Sequence, residues 1–593
     1  MLNNKKELIA ILFIMLVTFL CQYPLIKSIK KISMDEDFLQ YASRHLSFRK
    51  SIIEYHQFPL RSHYFGGGYP TIAEPEDPSL SPFVTLTLIF GEVVGLKLIA
   101  IAIYMIGTIS MFFLCRRVLF YNIEGALFST LSFSLASWFH MRVFGGNFNE
   151  LYYFFVPLMF YLFEKYNTDK KYFFPLVLLL TIVLMDGKLV FFSIILFFFL
   201  YVILRSVEFK YRKIDIKPIF FKKILVITLF VVLLGAIKIF SVLGLFSESG
   251  NVLFPSTVFH SSYSQTVYIH NISHLLECFY GTTDSPMHIG IMPSILFLVS
   301  MVVCFKRFYK CFVLLLISLM LIMSSNFPID LFKVIKQLPF LNIMNNSFKY
   351  FNFFVIFIIT IISGALFNYL EKYNKKKYII FVVLCMFNFA VPFLFSHKIN
   401  KNAFTVEKSE LPIQKEFFNI KPNYTKIDKN MYFNLLQNVG TIYWYWPVKE
   451  YDNVMPKYIM QYKKGNIELL MNKEYNGEYY FKNRENSAEV VKFSPNVLEY
   501  KVRLSIPDKL IINQNYSKYW KSDKGNILNY NGLICLNLTE IGEYSVKLKY
   551  VPLDFYYGLI ISMVSFIIFI SMFIYKKRAD KKCFLSEKTT GFN

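Results

Sequence analysis

The sequence predicts an α-helical polytopic membrane protein of about twelve transmembrane helices, with a small β-rich, sandwich-like domain before the last helix. Three observations predict it. Apolar residues come in blocks near the ~20 needed to cross a bilayer. Lysines and arginines punctuate those blocks instead of forming one patch, and a single long stretch, residues 397–554, breaks the pattern with polar, alternating segments. With 55% hydrophobic residues among 593 and a mean hydropathy of +0.41, the chain is too apolar for a soluble globule.

The first block, LIAILFIMLVTFL, follows Lys5-Lys6 and has no small-residue cleavage site after it, so it reads as an uncleaved signal anchor. Spans are expected near 7–26, 93–114, 118–140, 149–163, 172–186, 188–205, 222–246, 289–305, 310–325, 350–370, 378–396 and 555–575. The basic clusters at Arg116-Arg117, Glu164–Lys171, Arg205–Lys223, Lys306–Lys310, Glu371–Lys377 and Lys576–Lys582 all fall on one side if both termini are cytoplasmic. The net charge of +24 is therefore topological and calls for no nucleic-acid partner. The division that follows is a transmembrane domain over 1–396 with a first extracytoplasmic loop at 27–92, an extracytoplasmic β-rich domain over 397–554, and a last helix with a basic cytoplasmic tail over 555–593. LEYKVRLSI, KLIINQNY, LICLNL and EYSVKLKYV supply the strand alternation, with SDKGN, YNG and IGE as turns. The longest inward loop is too short for a folded domain.

The eight cysteines are scattered with no CxxC pair. Only Cys278 and Cys535 would face outward, and two unpaired thiols are expected there. His260, His270, His274 and His288 stand beside Glu277 and Asp284 in one outward loop without an HExxH pattern, so solvated histidines are expected. No phosphate loop, GxSxG elbow or dinucleotide fingerprint occurs.

Chemistry gathers at the outer ends of the spans. Asp35, Glu36 and Asp37 follow span one; they either serve a site or cap a helix amino terminus. The residues after them place Phe38, Leu39, Ala42, Leu46, Ile52 and Ile53 on one face, predicting an amphipathic helix on the bilayer surface. FGGGYPTIAEPEDPSLSP reads as a turn-rich segment carrying Glu74, Glu76 and Asp77. Arg142 with Asn147, Asn149 and Glu150, Asp186 with Lys188, and Lys238 and Lys349 stand at the same level. Each cation alone could snorkel, but together they could bind a lipid phosphate. Lys97, inside the second span, has no place in that pattern.

An acidic first loop, a juxtamembrane helix and a Gly/Pro segment resemble the GT-C superfamily of membrane glycosyltransferases. The stretch INQNYSKYWKSDKGNILNYNGLICLNLTEIGEYSVKLKYVPLDFYYGLIIS is similar to the closing β-module of YfhO-like bacterial membrane proteins, and LPFLNIMNNSFKYFNFFVIFIITIISGAL resembles their entry into a late span. Two positions depart from that pattern: Gln40-Tyr41 can be counted from Asp35, Glu36 or Asp37, and an Arg…Gly-His corner reads Arg142-Val-Phe-Gly-Gly-Asn147.

The resemblance implies a polyprenyl-phosphate-linked sugar donor, undecaprenyl in a bacterium, and transfer to a cell-envelope acceptor such as a teichoic-type polymer, polysaccharide or surface protein at the bacterial cytoplasmic membrane. One of Asp35, Glu36 or Asp37 would be the general base. Arg142, Lys188, Lys238 and Lys349 would hold the donor phosphate, and Gln40, Tyr41, Glu150 and Asp186 would line the cavity. Membrane lipids are the surrounding partner. No cofactor is required, and a divalent metal stays open. Two other classes fit a basic-flanked bundle: a lipid-linked oligosaccharide or polysaccharide transporter, which needs charges through the middle of its spans, and a non-catalytic envelope scaffold.

Overall fold

The computed structural model describes residues 5–590 apart from 187, 211–212, 218, 249–286, 325–328, 339–340, 342–343, 345, 372–374, 388, 409–410, 423–429, 443–452 and 464–465. The predicted sites at Cys278, His260, His270, His274, Glu277 and Asp284 lie outside the described residues, as does the side chain of Lys188.

Each of the twelve expected spans coincides with helix. The α-helices of the described residues, those outside the spans included, are in order α1 (Lys5–Lys27), α2 (Glu36–Ile53), α3 (Val84–Phe90), α4 (Glu92–Arg117), α5 (Ile123–Ser134), α6 (Ser137–Phe144), α7 (Val156–Thr168), α8 (Phe173–Asp186), α9 (Lys188–Ser206), α10 (Ile219–Leu234), α11 (Ala236–Glu248), α12 (Ile291–Val303), α13 (Phe305–Met323), α14 (Leu331–Ile335), α15 (Ser347–Ser363), α16 (Ala365–Leu370), α17 (Lys375–Phe387), α18 (Ala390–Ala403), α19 (Asn430–Leu436) and α20 (Leu553–Thr590). Among the described residues, five helical stretches are long and apolar enough to cross a membrane, and the α10–α11 pair is a sixth bent by 68°. The others are shorter or broken. A break inside a bilayer frees backbone groups that must find partners. Between α5 and α6, Ser134 O accepts from Tyr104 at 2.9 Å and Leu135 O from Ser396 at 3.2 Å. At the α10–α11 bend, Ser562 accepts from Ile237 N at 3.0 Å.

Contacts at the helix ends fix the course of the chain. Glu7 in α1 binds Arg116 and Arg117 at the far end of α4, at 2.7 and 2.5 Å. Asn122, before α5, meets Asn368 and Glu371 after α15. At the opposite end, Glu92 meets Lys408 and Tyr432 at 2.5 and 2.6 Å. Asp35, Arg142, Asp186 and Lys349, all at helix ends, therefore fall at the end of the bundle that carries the β-rich region.

Lys97 is resolved by packing. Its ammonium donates to the carbonyls of Ser28, Ile29 and Lys31 at 2.5, 3.1 and 2.5 Å, satisfying the carboxyl-terminal end of α1. The one charge that would have suggested a passage through the bundle is a helix cap.

Strands β3 (Phe418–Pro422), β4 (Val439–Thr441), β5 (Tyr458–Lys463), β6 (Asn466–Met471), β7 (Tyr479–Phe481), β8 (Ser487–Phe493), β9 (Val497–Leu504), β10 (Asp508–Asn515), β11 (Trp520–Ser522), β12 (Asn526–Tyr530), β13 (Leu533–Leu538) and β14 (Gly542–Tyr550) build the region before α20; β1 (Val207–Lys210) and β2 (Lys213–Ile216) form a separate hairpin. The sandwich expected from the alternation is there: sheets β12-β13-β10-β7 and β11-β14-β9-β8 enclose Leu498, Tyr500, Val502, Leu510, Ile512, Ile534, Val546 and Leu548. A third sheet, β4-β3-β5-β6, is not a sandwich layer. Its β3 pairs in parallel with β4 and with β5, and the β3-to-β4 connection contains α19. The alternation signal could not reveal it, because short parallel strands carry no two-faced pattern.

Candidate active site

Helix α2 is not on a surface. Phe38 through Phe48 are all buried, polar residues included, and the helix lies under α19 and against α4. Phe38, Leu39, Ala42 and Leu46 of the apolar face that suggested membrane adsorption pack in the core, with Phe38 against Phe148 and Phe404 at 5.8 and 5.2 Å, while Ile53 at the end of the helix is exposed. The informative face is the other one: Asp37, Gln40, Tyr41 and Arg44 recur at i, i+3, i+4 and i+7, a stripe along one side of the helix.

The three acidic residues separate. Asp35 is exposed and is the N-cap of α2, accepting from Asp37 N at 3.0 Å. Its capping role is met by the structure itself. Glu36 is the first residue of the helix and half-buried. Asp37 turns into the polar cluster, where burial pushes its carboxyl up to about 6; Lys349 opposes that rise, and Asp35, Glu150 and Glu76 add to it.

Around Asp37, three other segments contribute. Glu150, fully buried in a 3₁₀ turn at Phe148–Phe155, takes Arg142 Nε at 2.9 Å and Lys349 Nζ at 2.9 Å. Lys349 also reaches Asn147 Oδ1 at 3.3 Å. Arg142 comes from α6 and Lys349 from the first turn of α15, so sequence-distant cations share one carboxylate. Gln40 is buried, and its amide nitrogen has no hydrogen-bond partner among the described residues.

A second lobe adjoins the first through Arg44. Its guanidinium holds Glu74 at 2.6 Å and Glu76 at 3.1 Å, and Glu76 also lies 3.4 Å from the Asn149 amide. Lys238 belongs to this lobe: its ammonium donates to the carbonyls of Glu74 and Asp77 at 2.6 and 3.1 Å. Burial pushes the Asp77 carboxyl up, with Lys238 opposing. Asp186 accepts from Tyr41 at 2.8 Å and from Tyr152. Of the residues expected at the site, Asp37, Arg142, Glu150 and Lys349 converge, while Tyr41 and Asp186 pair beside them. Lys238 is committed to backbone carbonyls one lobe away. Arg44, Tyr152 and the two glutamates of the Gly/Pro segment complete the constellation; the i, i+3, i+4, i+7 polar spacing from Asp37 is the sequence signal that could have found Arg44. Among the described residues, no group of three or more His, Cys, Asp or Glu side chains is placed to hold a metal ion.

The Gly/Pro segment is held by the β-rich region. Gly66, Gly67 and Gly68 have φ of 56°, 72° and 108°. A Cβ on Gly67 would lie 2.3 Å from Val454, and one on Gly68 1.6 Å from Arg61 Nη2. Asn515 N donates to Gly67 O at 2.9 Å, Gly66 N to Thr441 O at 2.9 Å, and Arg61 donates to Gln514 at 2.6 Å while stacking 5.1 Å from the Trp520 ring. These glycines are there for close approach as well as for the turn. The INQNYSKYW stretch of β10 and β11 is the surface they approach.

No family model and no curated protein matches the chain. Among solved structures it is similar to the arabinofuranosyltransferase AftD from Mycobacteria, with a TM-score of 0.40 and 12% identity over 68% of this chain. The alignment spans 27% of the length of that protein. A likeness of this degree does not assign an activity.

Proposed function

We propose that the chain is a membrane glycosyltransferase that moves a sugar from a polyprenyl-phosphate-linked donor to a hydroxyl of a cell-envelope glycan or surface protein. The observation that carries this reading is the meeting of Asp37, Arg142 and Lys349, from three separate helices, around Glu150 at one end of an apolar bundle. In the reaction the acceptor oxygen attacks the anomeric carbon, its proton passes to the Asp37 carboxylate, and the bond to the donor phosphate breaks with its electron pair leaving on the phosphate. Arg142 and Lys349 exchange Glu150 for that phosphate and stabilise its growing charge. A carboxyl near 6 is matched to accepting a proton close to neutral pH. Lys238 and Arg44 act indirectly, by fixing the Glu74–Asp77 segment against the cluster.

The N-cap role of Asp35 supports Asp37 as the base among the three acids. Asn caps a helix as well as Asp does, so Asp35→Asn keeps the fold and the activity. Asp37→Asn removes the proton acceptor and abolishes glycan modification in cells at unchanged membrane protein level. Full modification with Asp37→Asn would contradict the assignment. A scaffold is the second reading, favoured by the pairing of Arg142, Lys349 and Arg44 with carboxylates in this conformation; it requires Asp37→Asn to be silent.

A further inference from the structure

Lys97 is a buried charge inside a span, and the transfer chemistry makes no use of it. What it touches lies directly ahead of Asp37. Its ammonium gathers the carbonyls of Ser28, Ile29 and Lys31, and it also sits 4.1 Å from the centre of the Phe404 ring. One cation therefore holds both the end of α1 and the chain at Phe404. The backbone joins these two segments a second time: Ile32 N donates to Val406 O at 2.7 Å, and Val406 N to Ile32 O at 3.3 Å. Helix α4 grips the same segment once more through Glu92, which takes Lys408 at 2.5 Å.

From that joint the connector to α2 is short and tied. Asp35 N donates to Ser33 Oγ at 3.2 Å, and Asp37 N to Asp35 Oδ1 at 3.0 Å. Phe404, the ring against the ammonium, meets Phe38 edge-on at 5.2 Å. Phe38 also abuts the corner between Arg142 and Glu150: a Cβ on Gly146, at φ 69°, would stand 2.2 Å from Phe38 N. The residue after Asp37 is thus in contact both with the ring that Lys97 holds and with the corner that carries Arg142 and Glu150. With so little slack between Ile32 and Asp37, a shift at the end of α1 passes to the carboxyl.

We propose that Lys97 is a positioning residue for Asp37: by holding the end of α1 and Phe404 together, it fixes the first turn of α2 against the corner of Arg142 and Glu150. The inference deepens the glycosyl-transfer reading and rests on it for its kinetic readout. The test compares wild type with Lys97→Met, which keeps an unbranched stem and loses the ammonium, as the full chain in nanodiscs with polyprenyl-phosphate-linked sugars from a lipid extract as donor. In Lys97→Met, kcat falls roughly 10–100-fold, the scale of a displaced catalytic group. KM for the donor stays within about twofold, because Arg142 and Lys349 are untouched. The acidic limb of kcat/KM moves below about 6, since a displaced carboxyl loses the burial and the Asp35, Glu150 and Glu76 charges that raise its proton affinity against Lys349. Phe404→Leu, which removes the ring and keeps an apolar side chain, moves the limb the same way by less. The backbone amides of residues 32–37 exchange with deuterium faster in Lys97→Met than in wild type. Unchanged kcat overturns the inference, and so does a loss of activity with the limb at its wild-type position, which marks a fold defect alone. Unchanged exchange over residues 32–37 overturns it whatever Asp37→Asn does, whereas a fully active Asp37→Asn contradicts the base assignment whatever the exchange does, so the two failures are distinguishable.

Discussion

The two ends of the bundle both bring carboxylates and guanidinium groups together, and they do it for different physical reasons. At one end Glu7 alone meets Arg116 and Arg117, whose side chains are 21% and 40% exposed. Cations outnumber the single carboxylate, and water reaches the arginines. At the other end Arg44 is 2% exposed between Glu74 and Glu76, and Arg142 and Lys349 divide a buried Glu150. There carboxylates outnumber cations once Asp37, Asp77 and Asp186 are included, and Asp37 is left with an elevated affinity for its proton. The first arrangement ties two helices; the second leaves a half-buried carboxyl with a raised proton affinity. A cluster of ion pairs thus has to be judged by its charge balance, because neither distance nor the burial of the shared carboxylate, 4% exposed for Glu7 and 1% for Glu150, separates the two ends.

Substitution breaks or sharpens that contrast. The largest effect is expected from Asp37→Asn, a loss of roughly 100-fold or more in sugar transfer, measured in membranes at matched protein level. Glu7→Gln leaves transfer within about twofold, since Glu7 lies at the end of the bundle away from Asp37. Next is Arg44→Met, which strands Glu74 and Glu76 and costs on the order of 3–5 kcal/mol, read as a lower melting temperature of the solubilised chain. The matching change at the other end, Arg117→Met, costs about 1 kcal/mol or less, because that side chain is half in solvent. Equal costs at the two ends would erase the distinction.

Gly68→Ala ranks below these. It adds a Cβ at φ 108° against the pinned Arg61 side chain, with an expected cost of about 1–3 kcal/mol. Its readout is faster proteolysis between the Gly/Pro segment and the β-rich region. A pH-dependent effect concerns Glu478, buried in the β-rich region and receiving Tyr475 at 3.0 Å and the Asn419 amide at 3.4 Å. Burial pushes its carboxyl up to about 8 from an ordinary 4.5, so the folded chain keeps a proton that the unfolded chain releases. Its stabilising contribution is complete below the unfolded value and is lost as pH rises toward the folded one. Glu478→Gln therefore gains on wild type in melting temperature between pH 5 and pH 8; parallel curves would refute the linkage.

Much of the bundle was legible because membrane crossing imposes length and charge rules on each segment separately. The helices fall where apolar blocks end at Arg116-Arg117 or begin after Lys375. The sandwich was legible for a similar reason: β9 buries alternate residues from Leu498 to Leu504. What the sequence hid depends on tertiary packing. The burial of both faces of α2 requires α19 and the β-rich region above it, which hydrophobic periodicity along α2 cannot announce. Lys97 looked misplaced until the end of α1 was seen beside it. The glycines of the first loop read as a turn because Val454 and Asn515, their reason for being small, lie hundreds of residues away.

The site was half legible. Arg142, Glu150 and Lys349 stood out as charges at span ends, and the structure joins them. Asp35 and Asp37 looked equivalent in sequence, and the helix start separates them: one position caps, the other points inward two residues later. Lys238 had the right depth but was claimed by carbonyls, a use that no spacing rule reveals.

The dependence of transfer on pH tests the role of Asp37 most directly. With polyprenyl-phosphate-linked sugars from a lipid extract as donor, kcat/KM should fall as pH is lowered through about 6, because protonation removes the base. The residual activity of Asp37→Asn should lack that acidic limb. An unchanged limb in the variant, or a flat wild-type profile from pH 5 to 8, would contradict the account.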